Sequence, residues 1–289
     1  MAGVLSDAEG RVLVAKRPAG KHLAGRWEFP GGKLDRGEAP LAGLRRELDE
    51  ELGVTLESAE PLIRLRHDYH DRRVLLDVWR VTRYSGTPRA LEAQALAWVM
   101  PDDLPGIDLL EADRPIITTL RLPSVARCVS GLQGLLDAAG SGTPEALFWS
   151  VPAGDAPTGT TREAVRAARR AGHRVLIVGA GVAAAVTAAA TGADGLLLEP
   201  TNETLTLDPK GSFLVGAICP TAAAAATAAA VGAHFLVLAA GDPGKRPFAD
   251  LVPQLGLPAY LGWYADAGCL ELARATGAHG CAVGPCEGG

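Results

Sequence analysis

The stretch GKLDRGEAPLAGLRRELDEELGV, Gly32 to Val54, decides the reading of the first half of the chain. Pro40 suits a first helical turn and Gly53 suits a helix exit, so a helix is expected from Ala39 to Leu52. On that helix Glu47, Glu50 and Glu51 fall at i, i+3 and i+4 and share one face. Leu41, Leu44, Leu48 and Leu52 form a separate stripe, expected to face a core. Three like-charged carboxylates on one face repel each other unless a cation compensates. Hard oxygen donors so placed suit Mg²⁺ or Mn²⁺, which keep several waters and take substrate phosphates as further ligands. An acidic helix face alone would equally suit a solvated surface, so the wider pattern has to decide.

Outward from this stretch, the 289 residues fall into two halves of different composition. Residues 1–122 hold most of the charge and three of the six histidines; from about residue 125 the chain is rich in Ala, Gly, Val and Leu. The length suits two domains, expected at 1–122 and 124–289. A formal net charge of −5 argues against a nucleic-acid polymer as partner. A small phosphate compound that brings its own metal remains compatible with it. Five scattered cysteines, with no C-x-x-C pair, are expected to be free thiols in a reducing cytoplasm. The sequence shows no signal peptide and no apolar run of spanning length, so no membrane partner is expected. The opening Met1-Ala-Gly-Val-Leu5 enters a first strand without lead-in. Further strands are expected at Val12–Ala15, Val74–Trp79 and Ala95–Val99, and a helical segment from Ile116 to Leu122.

Taken whole, the pattern from Gly32 to Val54 is the Nudix box, with Gly32, Glu38, Arg46-Glu47, Glu50-Glu51 and Gly53 all in place. The first half resembles the MutT-type, 8-oxo-dGTP-cleaving branch of that family. The resemblance implies an α/β/α sandwich with a mixed sheet. It further implies hydrolysis of nucleoside triphosphates, 8-oxo-dGTP or related modified (d)NTPs, to monophosphate and pyrophosphate. By that likeness Glu47, Glu50, Glu51 and the Gly31 carbonyl are metal ligands, and Glu38 and Arg46 pair in support. Arg17 is a candidate phosphate clamp, because a guanidinium matches phosphate oxygens. Phe29 is a candidate base-stacking ring or a core residue. His22 and Arg72 match substrate-side positions, each with an ordinary surface residue as its alternative. Two departures stand out. Where close relatives have a glutamate before the Trp98 position, this chain has Ala97, and Glu92 is the candidate replacement. Where the branch reads the purine edge with an asparagine, this chain has Asp113, which donates a hydrogen bond only when protonated.

The second half repeats one unit, a short apolar run followed by an Ala-rich helix closed by Gly. The runs are Ser124–Val129, Ala146–Val151, Arg174–Val178, Ala193–Leu198, Phe213–Ile218, His234–Leu238, Ala259–Gly262 and Gly280–Val283. This alternation implies parallel strands with right-handed crossovers. Eight such strands would close a (β/α)8 barrel of the TIM type; an open doubly wound sheet is the alternative. The segments 190–198, 230–238 and 275–283 resemble strands of thiamine-phosphate-synthase-like barrels. That family's catalytic patterns are largely missing: Phe148-Trp-Ser-Val-Pro152, Gly179-Ala180 and Leu261-Gly-Trp-Tyr264 stand in their places. A scaffold or ligand-sensing domain is therefore expected, with Asp242–Arg246 as a loop for a phosphate-containing ligand. The alternative is a bifunctional enzyme whose barrel makes or binds thiazole phosphate.

Overall fold

The computed structural model describes residues 1–70, 73–151, 158–200, 213–239, 251–264 and 267–284. The chain forms two compact units, Met1–Arg121 and Leu122–Gly289.

In the first unit, strand β1 (Ala2–Val4) runs parallel to β5 (Arg73–Ser85), which pairs antiparallel with β4 (Thr55–Asp68). A second sheet places β2 (Val12–Lys16) between β3 (Trp27–Glu28) and β6 (Leu96–Val99), all antiparallel. Successive side chains on a strand point to opposite faces, and β2 shows the consequence. Val12 and Val14 join one buried cluster and Leu13 the other. The cluster with Leu13 is closed by helix α1 (Pro40–Leu52), whose Leu44, Leu48 and Leu52 are fully buried. Ile116 and Ile117 of helix α2 (Arg114–Arg121) close the opposite cluster. The unit is thus an α/β/α sandwich with a mixed sheet, as the box implied.

Helix α1 begins at Pro40 and ends where Gly53 adopts φ 65°, its N–H donating to the Asp49 carbonyl. The long strand β4 was not anticipated. Its register shifts between Leu56 and Ala59 and again between Pro61 and Ile63. Each bulge reverses the phase of alternation, so the two shifts cancel. Leu56 and Ile63, seven positions apart, face opposite sides and are buried in different clusters, Leu56 with Leu13 and Ile63 with Val12 and Val14.

The second unit is a closed, all-parallel barrel of eight strands: β7 (Val125–Ser130), β8 (Ala146–Ser150), β9 (Arg174–Gly179), β10 (Gly195–Leu198), β11 (Leu214–Cys219), β12 (Phe235–Ala239), β13 (Ala259–Tyr264) and β14 (Gly280–Val283). All eight coincide with the apolar runs of the sequence, and closure removes the open-sheet alternative. Phe148, Phe235 and Tyr260 fill the interior, Phe148 and Phe235 stacked at 6.2 Å and Tyr260 edge-on to both. Helices α3 (Gly131–Ala139), α4 (Gly159–Arg170), α5 (Gly181–Thr191), α6 (Ala222–Ala230) and α7 (Leu270–Thr276) lie between the strands in sequence.

The tripeptide Gly-Ala-Asp or Gly-Ala-His stands before three of the strands, at 192–194, 232–234 and 277–279, and it has a structural cause. The side chain just ahead of one strand ties in a neighbouring backbone group. Asp194 Oδ2 accepts the Val175 N–H at 2.9 Å, and His234 Nδ1 accepts the Val215 N–H at 3.1 Å. His173 Nδ1 accepts the Glu145 N–H at 3.1 Å, and His279 Nε2 lies 2.9 Å from the Leu122 carbonyl. Each bond satisfies a buried polar group that would otherwise cost stability.

The expectation of free thiols is corrected here. Cys269 and Cys281 form a disulfide and Cys128 is disulfide-bonded as well, while Cys219 is a buried free thiol. Packing of the turn before α7 against β14 brings Cys269 and Cys281 to a Cα separation of 6.1 Å, within bridging range. The absence of a C-x-x-C spacing could not reveal that. The basic loop Asp242–Arg246 lies outside the described residues. Among the described residues, no helix is long and apolar enough to cross a membrane.

Candidate active site

Helix α1 presents its acidic face toward the Gly31-Gly32 turn. The Gly31 N–H donates to Glu51 Oε2 at 3.2 Å. Gly31 has φ +144°, and a Cβ there would stand 2.4 Å from the Met1 carbonyl oxygen, so only glycine fits. At Gly32 a Cβ would meet the Glu47 carboxylate at 2.3 Å. These two glycines let backbone and carboxylates approach closely.

Arg46 organises the outer side of this face. Its guanidinium donates to Glu38 Oε1 and Oε2 at 3.1 and 3.0 Å, to Glu47 Oε1 at 3.1 Å, to Glu50 Oε2 at 3.2 Å and to the Lys33 carbonyl at 3.1 Å. Glu38 is held below the usual carboxylate range by that contact and by the Asp35 N–H. Its pairing with Arg46 ties the loop to the helix.

Glu51 differs from its neighbours. Burial pushes its carboxyl up to about 7, and Glu47, Glu28 and Glu92 add like-charge repulsion that the Gly31 N–H only partly offsets. Glu28 was not singled out in the sequence. Its carboxyl is also raised, by burial, despite an ion pair with Arg17. The available signal was its position: strands β2 and β3 pair Lys16 with Trp27, which brings Arg17 beside Glu28.

The other candidates are placed as follows. Arg17 donates through Nη1 to Glu28 and through Nε to the His22 carbonyl at 2.7 Å. The His22 side chain is exposed. Phe29 is 3% exposed and belongs to the core cluster facing α2. Asp113 is buried, its Oδ2 accepts the Phe29 N–H at 3.1 Å, and burial pushes its carboxyl up to about 7. Glu92 pairs with Lys21 at 2.6 Å. Its segment is moored to the end of α1, where Leu91 N–H and Gln94 Nε2 both donate to the Glu51 carbonyl, at 3.1 and 3.0 Å. Arg72 lies outside the described residues.

Among the described residues, no three His, Cys, Asp or Glu side chains are gathered into a ready cation cage. The donor chemistry nevertheless suits a hard divalent ion. It consists of carboxylates with a backbone turn close by, one of them buried and short of countercharge.

The comparisons follow this geometry. Residues 1–119 match the family model described as NUDIX domain. The 8-oxo-dGTP diphosphatase of Escherichia coli is 33% identical over 119 residues, 41% of this chain and 92% of that protein. The CTP pyrophosphohydrolase of the same organism is 36% identical over 121 residues, 42% of this chain and 90% of that protein. Among solved structures, a thiamine phosphate pyrophosphorylase from Pyrococcus furiosus is 18% identical, covers 57% of this chain and 87% of that one, and has a TM-score of 0.44. The match over residues 1–119, with relatives spanned nearly end to end, makes this chain a member of the Nudix hydrolase family, enzymes that act on diphosphate bonds.

Proposed function

We propose that the first unit is a Mg²⁺-dependent pyrophosphohydrolase (Mn²⁺ serving as an alternative) for 8-oxo-dGTP or related modified (d)NTPs. The products are a nucleoside monophosphate and pyrophosphate. The observation that carries this reading is the buried Glu51 carboxyl, crowded by Glu47, Glu28 and Glu92 beside the Gly31-Gly32 turn.

Glu47, Glu50, Glu51 and the Gly31 carbonyl would hold the metal. When bound, such an ion neutralises phosphate charge and lowers the pKa of a coordinated water toward 7. The chain's own residues do the rest. Arg46 holds Glu47 and Glu50 on the loop side, and Glu38 fixes Arg46 in turn. Arg17 lies at the end of β2 with its guanidinium partly exposed, placed to meet a phosphate. Glu92 is the candidate proton acceptor for the attacking water, standing in for the glutamate that Ala97 lacks. Asp113 can donate to a purine edge while protonated, and a carboxyl near 7 is partly protonated at neutral pH. The alternative role of Asp113 is structural, as a buried acceptor for the Phe29 N–H. The two E. coli relatives are named for different bases, so the base is set by this chain's own wall residues.

We read the barrel as non-catalytic. Strands β8, β9 and β13 end at Ser150, Gly179 and Tyr264, which offer no acid to bind magnesium at a departing pyrophosphate.

The test is a panel of 8-oxo-dGTP, dGTP, CTP and ADP-ribose with Mg²⁺, read separately for pyrophosphate and phosphate. Pyrophosphate from a triphosphate is expected. Turnover of no diphosphate compound, even with excess Mg²⁺ or Mn²⁺, would overturn the reading. Product formation from the two thiamine-phosphate precursors would overturn the view of the barrel.

A further inference from the structure

The loop between β2 and β3 folds back on itself. Arg17 N–H donates to the Arg26 carbonyl at 2.9 Å and Gly25 N–H to the Arg17 carbonyl at 3.0 Å. From this loop Lys21 reaches Glu92, 71 positions away, at 2.6 Å. Its ammonium stands in the field of Glu92, Glu51 and Glu28, all of which raise its proton affinity.

Among the described residues, three side-chain cations border the acidic cluster, and they differ in freedom. Arg46 is bound to three carboxylates and a carbonyl. Arg17 is bound to Glu28 and to the His22 carbonyl, and its side chain is 21% exposed. Lys21 has one ion pair among the described residues, and its side chain is 47% exposed against 42% for Glu92. An exposed pair of this kind contributes little to stability, so breaking it is cheap. A triphosphate arriving beside Glu28, Glu47, Glu51 and Glu92 meets strong like-charge repulsion. A cation that can leave its carboxylate without much cost is the natural one to meet it.

We propose that Lys21 is a phosphate-contacting residue of this site, parked on Glu92 until a nucleoside triphosphate takes its ammonium. The inference rests on the proposed triphosphatase reading. It adds a cation that the resemblance did not assign, and it gives Glu92 a second role. Departure of Lys21 uncovers the Glu92 carboxylate as substrate binds, which leaves that oxygen free to accept a proton.

The test measures binding, not turnover. Affinity for a non-hydrolysable α,β-methylene triphosphate is determined by calorimetry with Mg²⁺ for the wild type and for Lys21→Met, Lys21→Arg and Glu92→Gln. Lys21→Met should weaken binding about tenfold or more, a loss equivalent to about 1.4 kcal/mol. Lys21→Arg should restore most of it, and Glu92→Gln should leave binding unchanged or tighter because the ammonium is already released. Wild-type affinity in Lys21→Met would overturn the proposal. Equal weakening by Lys21→Met and Glu92→Gln would also overturn it, making the pair a fastener between loops. A wild type that neither binds the analogue nor hydrolyses any diphosphate would instead remove the triphosphatase reading beneath it.

Discussion

Replacing Glu51 by glutamine should stabilise the metal-free first unit at pH 8 while abolishing most turnover. The folded carboxyl sits at about 7, against 4.5 for the free side chain, chiefly because it is buried. A carboxyl raised in this way favours folding in its protonated form. That stability is fully present below about 4.5 and is lost as the pH rises through about 7. At about 1.4 kcal/mol per pH unit, the span corresponds to about 3 kcal/mol withheld from the wild type at pH 8. Glutamine has no proton to lose, and its carbonyl can still accept the Gly31 N–H. Glu51→Gln should therefore unfold roughly 10 °C higher at pH 8 in chelator, judged from unfolding entropies of domains this size. At pH 5 the two proteins should differ little. Scanning calorimetry at both pH values, following the transition of the first unit in the full chain, reads the effect. Co-melting at pH 8, or the same gap at pH 5, would refute burial as the source of the shift. With Mg²⁺ added the order should reverse, because only the wild type offers the ion the Glu51 carboxylate.

Asp113→Asn keeps an acceptor for the Phe29 N–H and adds a permanent donor. It should gain stability above pH 7, where the buried carboxyl otherwise ionises. If Asp113 reads the base, the ratio of kcat/KM for 8-oxo-dGTP over dGTP should shift about tenfold, roughly the worth of one hydrogen bond; an unchanged ratio confines Asp113 to support. Gly32→Ala places a methyl 2.3 Å from the Glu47 carboxylate and displaces it, so turnover should fall about a hundredfold with circular dichroism unchanged; near-normal turnover would take Glu47 out of the site. Reducing the Cys269–Cys281 bond, which spans 12 positions, should cost about 3 kcal/mol of barrel stability, seen as a lower denaturant midpoint in dithiothreitol. An unshifted midpoint would mean that the bond constrains nothing.

The parts of this fold that were legible in sequence are those with an unbroken period. The leucine stripe of α1 and the strand–helix alternation of the barrel each hold phase from end to end, and all eight barrel strands lie on the apolar runs read from it. Strand β4 was missed because bulges near Ser58 and Pro61 reset its alternation. Strand β3, two residues long, was missed because it is too short to show any period. In the site, residues on one helix could be grouped by arithmetic: Glu47, Glu50 and Glu51. Glu28 and Lys21 could not, because their roles arise from strand pairing and from a loop contact across 71 positions. The disulfide was missed for a related reason, since it joins residues 12 positions apart that meet only once the turn before α7 packs on β14.

The arrangement of charges shows how a crowd of carboxylates is tolerated in this fold. Four glutamates close to one another would be strongly destabilising if all were ionised and bare. Three of them are answered by side chains: Glu47 by Arg46, Glu28 by Arg17 and Glu92 by Lys21. Glu51 has no cation partner among the described ion pairs and is answered by a proton instead, its carboxyl raised to about 7. Under the proposed function a divalent ion would meet different opponents at each ligand. At Glu47 it would have to displace a guanidinium, and at Glu51 only a proton. Since a ligand must be deprotonated before it binds a metal, Glu51 would couple metal capture to pH near neutrality, whereas Glu47 and Glu50 would couple it to the position of Arg46. Glu38 then acquires a definite task. With two oxygens on the Arg46 guanidinium, it would keep that cation on the helix if Glu47 and Glu50 released it to hold a metal.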